Sequence, residues 1–371
     1  MNIIARIVGV SIYFFTLIII CFLLRKCKKE NVNRILFIYS ILLSLMGFFF
    51  VPNIHNDLYR VYEIMNGYSI IPFKSFFENY VLKSSVPISL LYYWMIGQLK
   101  INGLLPFITS FIFYTNVFYI IGDYYKKNNI SNKALGLSLL IIMCNSSFFE
   151  TISGIRNMLA FSIILRCFYD EFYNNKPIVK NIIWYVVSSL IHPAAIIPIF
   201  LRLIFSLIEK KSSSKLKVLI PVLSVGVLVF LYYFGFSFIQ NAINMGENYI
   251  NKVEYSYIWE TILSCLIIVA LIFMKIRCKK FTFLENRTGL LNNKNLSRII
   301  ELMTILFISE HSIFFRYSNF NLFFNIPIIM VYCNELYNNK NKNYRLVFLY
   351  FISLLIITCI RGNLCSLKFW E

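Results

Sequence analysis

Apolar runs long enough to enter a lipid bilayer recur along the whole of this chain, and short basic links separate them. A helix needs roughly 20 apolar residues to span the hydrocarbon core, and inside lipid only helices or closed barrels satisfy their own backbone polar groups. Allowing for short or tilted helices, twelve runs fit: Ile7–Leu24, Ile35–Val51, Leu104–Ile121, Ala134–Phe149, Arg156–Tyr173, Ile178–Ile191, Ala194–Ile208, Val218–Ile239, Ile258–Met274, Ile299–His311, Asn319–Cys333 and Leu346–Ile360. Composition agrees, since 58% hydrophobic against 14% charged residues is too apolar a balance for a soluble domain of 371 residues. The expected fold class is an all-α polytopic membrane protein with about twelve transmembrane helices, and residues 1–371 form a single integral membrane domain.

Lysine and arginine placement sets the expected orientation. Six links, Arg25–Arg34, Lys126–Lys133, Lys176–Lys180, Lys210–Lys217, Lys275–Arg298 and Lys340–Arg345, hold 24 of the 36 basic residues. Such links stay cytoplasmic, and residues 275–298 form the largest of them. The alternation closes only if Val86–Leu99, a 14-residue apolar piece, does not cross. It is expected to be a re-entrant or interfacial segment within a long outer-face loop over residues 52–103, and both termini then lie outside. The net charge of +19 is accounted for by these links and by anionic headgroups, so nucleic acid is not an expected partner. The nine cysteines show no metal-ligand spacing, and several lie in apolar runs where they pack as small hydrophobes. Ile7–Leu24 is followed by Arg25, Lys26, Lys28 and Lys29, the wrong flank for a signal peptide, so it reads as a permanent first span.

The same orientation collects the unusual polar residues on one side. Asp57, Tyr59, Arg60 and Tyr62 fall in the first outer loop. Glu150 and Arg156 flank the outer turn between the fourth and fifth spans, and His192 occupies the next outer turn, before Pro193. Glu310, His311, Arg316 and Tyr317 lie at the turn between the tenth and eleventh spans. Each has a plainer reading: an arginine at a helix end snorkels to headgroups, a histidine before proline caps a turn, and Asp57 starts a helix. Arg166 and Arg202 sit deeper and read as structural snorkellers. The arrival of Asp57, Arg156, His192 and Arg316 at one face from four separate turns is what the plainer readings leave unexplained.

Three short motifs resemble the EpsG family of membrane polysaccharide polymerases, a branch of the Wzy-like group. They are the Asp57-x-Tyr59 region after the second span, the stretch from Gly154-Ile155-Arg156-Asn157 to Ile163, and Ser188-Ser189-Leu190-Ile191-His192-Pro193. Arg316-Tyr317 also fits, and Asn157 stands where the family more often has glutamine. The resemblance runs from about Ile35 to Cys333. It implies polymerisation of undecaprenyl-pyrophosphate-linked oligosaccharide units at the outer face of a bacterial cytoplasmic membrane, for O-antigen, capsule or exopolysaccharide. A flippase and a chain-length regulator are further expected partners.

On that reading Arg156 and Arg316 bind pyrophosphate, because guanidinium is a planar fork of donors that stays charged. His192 or Asp57 takes the acceptor hydroxyl's proton, a neutral imidazole being the better match near neutral pH. Tyr59, Arg60, Tyr62, His311 and Tyr317 bind substrate. The first outer loop has no Asp-x-Asp or Glu-x-Asp pair, so neither a divalent metal nor another cofactor is expected. Two alternatives remain: a lipid-linked oligosaccharide flippase, whose central cavity would use arginines for pyrophosphate equally well, and a polyprenyl-phosphate-sugar-dependent glycosyltransferase, which shares the outer face.

Overall fold

The computed structural model describes residues 3–54, 56–208, 258–277, 287–308 and 311–338, and every regular element among them is helical. In chain order these are α1 (Ile3–Lys26), α2 (Val32–Phe48), α3 (Asp57–Ser69), α4 (Phe73–Phe76), α5 (Pro87–Gln98), α6 (Leu104–Lys127), α7 (Asn132–Asn145), α8 (Phe148–Ser153) and α9 (Ile155–Tyr173). They continue with α10 (Ile182–Ile191), α11 (Ile196–Ile208), α12 (Ile258–Arg277), α13 (Arg287–Leu306), α14 (His311–Phe324) and α15 (Ile326–Asn338). Three helical stretches, Val8–Lys26, Lys29–Phe48 and Leu104–Lys127, are long and apolar enough to cross a membrane. Shorter apolar helices cover Asn132–Asn145, Ile178–Ile191, Pro193–Ser206, Thr261–Ile276 and Ile326–Tyr337. The runs Val218–Ile239 and Leu346–Ile360 lie outside the described residues.

Several helices begin or end away from the apolar runs, each for a local reason. The run Ala134–Phe149 stops at Asn145, because Ser146 turns extended and the Ser147 hydroxyl accepts from the Glu150 amide at 3.2 Å, starting the separate helix α8. The run Ile299–His311 falls mostly in a helix that starts at Arg287 and ends at Leu306, so part of the expected 275–298 loop is helical, and His311 opens the next helix. Gly289 makes that early start possible: a Cβ there would lie 2.1 Å from the Phe172 carbonyl oxygen, so only glycine lets α13 press on the end of α9. Asn319–Cys333 is divided at Asn325, just before Pro327, whose missing amide interrupts the ladder between α14 and α15.

Helix α6 is the hub, packed against α2, α8, α9 and α15. Tyr39 of α2 stacks on Phe118 at 5.3 Å, and Phe113 meets Phe323 edge-on at 5.0 Å. Lipid is as apolar as these side chains, so shape fit and buried hydrogen bonds hold such a bundle together more than water exclusion does. The expected outer loop over residues 52–103 contains α3, α4 with the π turn Phe77–Val81, and α5. At 12 residues α5 is about 18 Å long, well short of the hydrocarbon thickness.

Neither Arg166 nor Arg202 snorkels, contrary to expectation. Arg166 pairs with Asp170 at 3.3 Å and lies over the Tyr119 ring. Arg202 is buried against Glu171 at 2.7 Å, and Glu171 also accepts from Asn181 at 2.9 Å and from the Tyr185 hydroxyl. That network clamps α9, α10 and α11 together.

Candidate active site

Helix α10 ends at His192, whose backbone is extended (φ −152°, ψ 130°), as the residue before a proline prefers. The Ala194 amide donates to His192 Nδ1 at 3.1 Å, fixing the ring. In the neutral ring the proton therefore sits on Nε2, so His192 offers a donor outward. Burial, then the Arg316 and Arg156 guanidiniums, hold its imidazole well below the usual histidine range. Arg156 and Arg316, which come from two other turns, thus both act electrostatically on His192.

Tyr317 is buried and its hydroxyl is engaged within the protein. Its hydroxyl donates to the Ala194 carbonyl at 2.7 Å, and its buried ring packs on Phe161 and Phe307. That bond ties α14, and Arg316 with it, to the turn that carries His192. On the other side the Ser89 hydroxyl of α5 donates to the Ile191 carbonyl at 2.7 Å. The turn before α9 is held by Gly154, whose amide donates to the Glu150 carbonyl at 2.8 Å. A Cβ at Gly154 would sit 2.8 Å from that same oxygen and 3.1 Å from Glu150 Oε2. Gly154→Ala should therefore open the α8–α9 turn, at about 1–3 kcal/mol. A lower unfolding temperature in detergent, with less polymer made, is the expected outcome; an unchanged melting curve would contradict it.

Asp57 is not among the groups that act on His192. It is the first residue of α3, and its carboxylate pairs with Arg60 one turn on, with the two side chains 51% and 63% exposed. Tyr68, which Arg156 does influence, lies 11 residues further along the same helix, or about 16 Å. Arg60 is a partner of Asp57 on an exposed face. Tyr59 is half-buried. Tyr62 is buried with its hydroxyl unpartnered among the described residues. His311 begins α14, and its side chain lies outside the described residues.

Arg156 and Arg316 differ from Arg60, Arg166 and Arg202 in a telling way. Among the described residues neither has a carboxylate partner, whereas the other three do. Asn157, beside Arg156, is buried with both amide atoms unpartnered among the described residues. A small cavity lined by Ile120, Leu165, Tyr169, Asn293, Phe323, Phe324 and Pro327 lies elsewhere. Its volume of about 10 Å³ suits one water beside the unpaired Asn293 Oδ1.

Sequence reasoning missed Tyr68 and Tyr93, the tyrosines on which Arg156 acts. Spacing carried no signal for the tyrosines, since they reach Arg156 only through helix docking.

The helical architecture and the apolar helices define an integral membrane protein of the helical class. A family model described as the EpsG family matches residues 87–364, well over half of the chain, and the chain belongs to that family of Wzy-like membrane polysaccharide polymerases. No curated protein and no solved structure matches it. The match contains Arg156, His192, Arg316 and α5, and extends beyond Cys333. Asp57, Tyr59, Arg60 and Tyr62 precede it, so the Asp57-x-Tyr59 region carries no part of the assignment.

Proposed function

We propose that this protein polymerises undecaprenyl-pyrophosphate-linked oligosaccharide units at the outer face of a bacterial cytoplasmic membrane, without a metal. The growing chain's anomeric carbon loses its bond to pyrophosphate and gains one to a hydroxyl of the next lipid-linked unit. The bonding electrons leave with the pyrophosphate, whose added charge Arg156 and Arg316 hold. The observation that supports this reading is a pair of arginines, without carboxylate partners among the described residues, that both act on a neutral histidine inside the family match.

His192 serves here as a third donor to the leaving oxygen through Nε2–H, in place of the general base expected from sequence. Glu150, the carboxylate nearest to Arg156 in the chain, replaces Asp57 as acceptor of the hydroxyl proton. His192→Gln retains an N–H donor and should keep part of the polymerisation rate, whereas His192→Ala should lose about a hundredfold or more. Equal loss in both variants would restore the general-base role.

A gel of lipid-linked and polymerised glycan from a deletion strain tests the function itself. Single units displayed at the outer face without long chains are the expected result. Absence of outer-face units would point to the flippase, and unchanged long chains would remove the reading.

A further inference from the structure

Helix α5 lay outside every expected site, yet its buried face runs directly beside the arginine–histidine cluster. That face consists of Ser89, Tyr93, Ile96 and Gly97. At its start Ser89 is bonded to the Ile191 carbonyl, one residue before His192. At its end Gly97 presses on α3, where a Cβ would fall 2.8 Å from the Met65 carbonyl oxygen. Tyr93 lies one turn after Ser89 on the same face, and so between α10 and α3. Tyr68 follows Met65 by one turn on α3, and Arg156 acts electrostatically on both tyrosines.

The two neighbouring tyrosines of α5 are handled differently. The Tyr92 hydroxyl is bonded to the Leu105 carbonyl at 3.1 Å and to Thr109 at 3.0 Å. Tyr93 is only 3% exposed, and its hydroxyl has no partner among the described residues. A buried hydroxyl left unbonded is unfavourable, and native proteins keep such groups mostly where something else completes them. Burial pushes the Tyr93 hydroxyl up to about 12 while Arg156 opposes the shift, so the group keeps its proton at neutral pH. It can donate but carries no charge to repel a phosphate.

We propose that Tyr93 is a pyrophosphate-binding residue: its hydroxyl donates to a phosphate oxygen of the lipid carrier held by Arg156, with Tyr68 on the adjoining helix. This rests on the polymerase reading, since it supplies a second kind of donor to the same pyrophosphate. Arginine offers charge and a fork; the buried phenol adds a fixed single donor from an independent helix, which makes occupancy of the site depend on α5 being docked.

The test uses the full-length protein purified in detergent, with farnesyl pyrophosphate as probe and farnesol as the uncharged control. Wild type should prefer the pyrophosphate, and Arg156→Ala should lose that preference. Tyr93→Phe should weaken farnesyl pyrophosphate binding roughly ten- to a hundredfold, with farnesol binding and the unfolding temperature unchanged. Tyr92→Phe, which removes a hydroxyl already bonded within the protein, should lower the unfolding temperature without changing the preference. Wild-type affinity in Tyr93→Phe, beside a weakened Arg156→Ala, overturns the role of Tyr93 and leaves the polymerase reading standing. An equal loss in Tyr92→Phe also overturns it, since the effect would then be one of packing. No preference for pyrophosphate in the wild type overturns both.

Discussion

Arg156→Ala and Arg316→Ala are each expected to abolish long-chain polysaccharide while single lipid-linked units accumulate at the outer face and protein levels stay normal. The reason lies in where charge develops. In the proposed reaction negative charge grows on a phosphate oxygen as the glycosidic bond to pyrophosphate breaks, and preorganised donors aimed at such a position are worth about 10²–10³ in rate apiece. Both arginines are free to act in this way because, among the described residues, no carboxylate neutralises them. Arg156→Lys separates charge from geometry: a lysine keeps the charge but loses the planar fork, so an intermediate chain length is expected, short of wild type. Chains of normal length in both alanine variants, read on the same gel as protein level, would remove the pyrophosphate assignment.

Features encoded within a few residues were legible in the sequence, and those created by docking were not. The break at His192 follows from Pro193 alone, because proline lacks an amide and forces its predecessor extended. Arg156 stood out because a charge in an apolar run demands an explanation. Asp57 has an equally local partner, since Arg60, one helical turn away, competes for its carboxylate, and the pattern of outer loops cannot reveal that. The remaining errors are long-range. Ser89 meets Ile191 across 102 residues of chain, and Tyr317 meets Ala194 across 123, so neither the site role of α5 nor the bracing role of Tyr317 has a sequence signature. Arg202 was read as a snorkeller because its partner Glu171, 31 residues earlier, sits on a different helix.

Removing Glu171 is expected to have the largest effect on folding. Glu171 and Arg202 are 2% and 7% exposed, and the carboxylate also accepts from Asn181 and Tyr185. Glu171→Ala would take the carboxylate away from the buried Arg202 guanidinium, the Tyr185 hydroxyl and the Asn181 amide, a loss of about 3–5 kcal/mol. Replacing both charges with apolar residues of similar size, as in the Glu171→Leu, Arg202→Met double variant, strands no charge and should recover most of that stability. The consequence for function follows from the position of the clamp. Glu171 lies 15 residues beyond Arg156, so about 22 Å along α9, while α10 leads from the clamp to His192. The clamp therefore fixes the far ends of the helices whose near ends carry the site, where Ser89 and Tyr317 provide separate ties. Glu171→Ala should lower the amount of folded protein and thus the total polymer, yet leave the chain length per surviving enzyme close to wild type. Thermal unfolding in detergent and a gel normalised to protein level check the two halves separately. A stable Glu171→Ala protein with shortened chains would instead place Glu171 within the reaction.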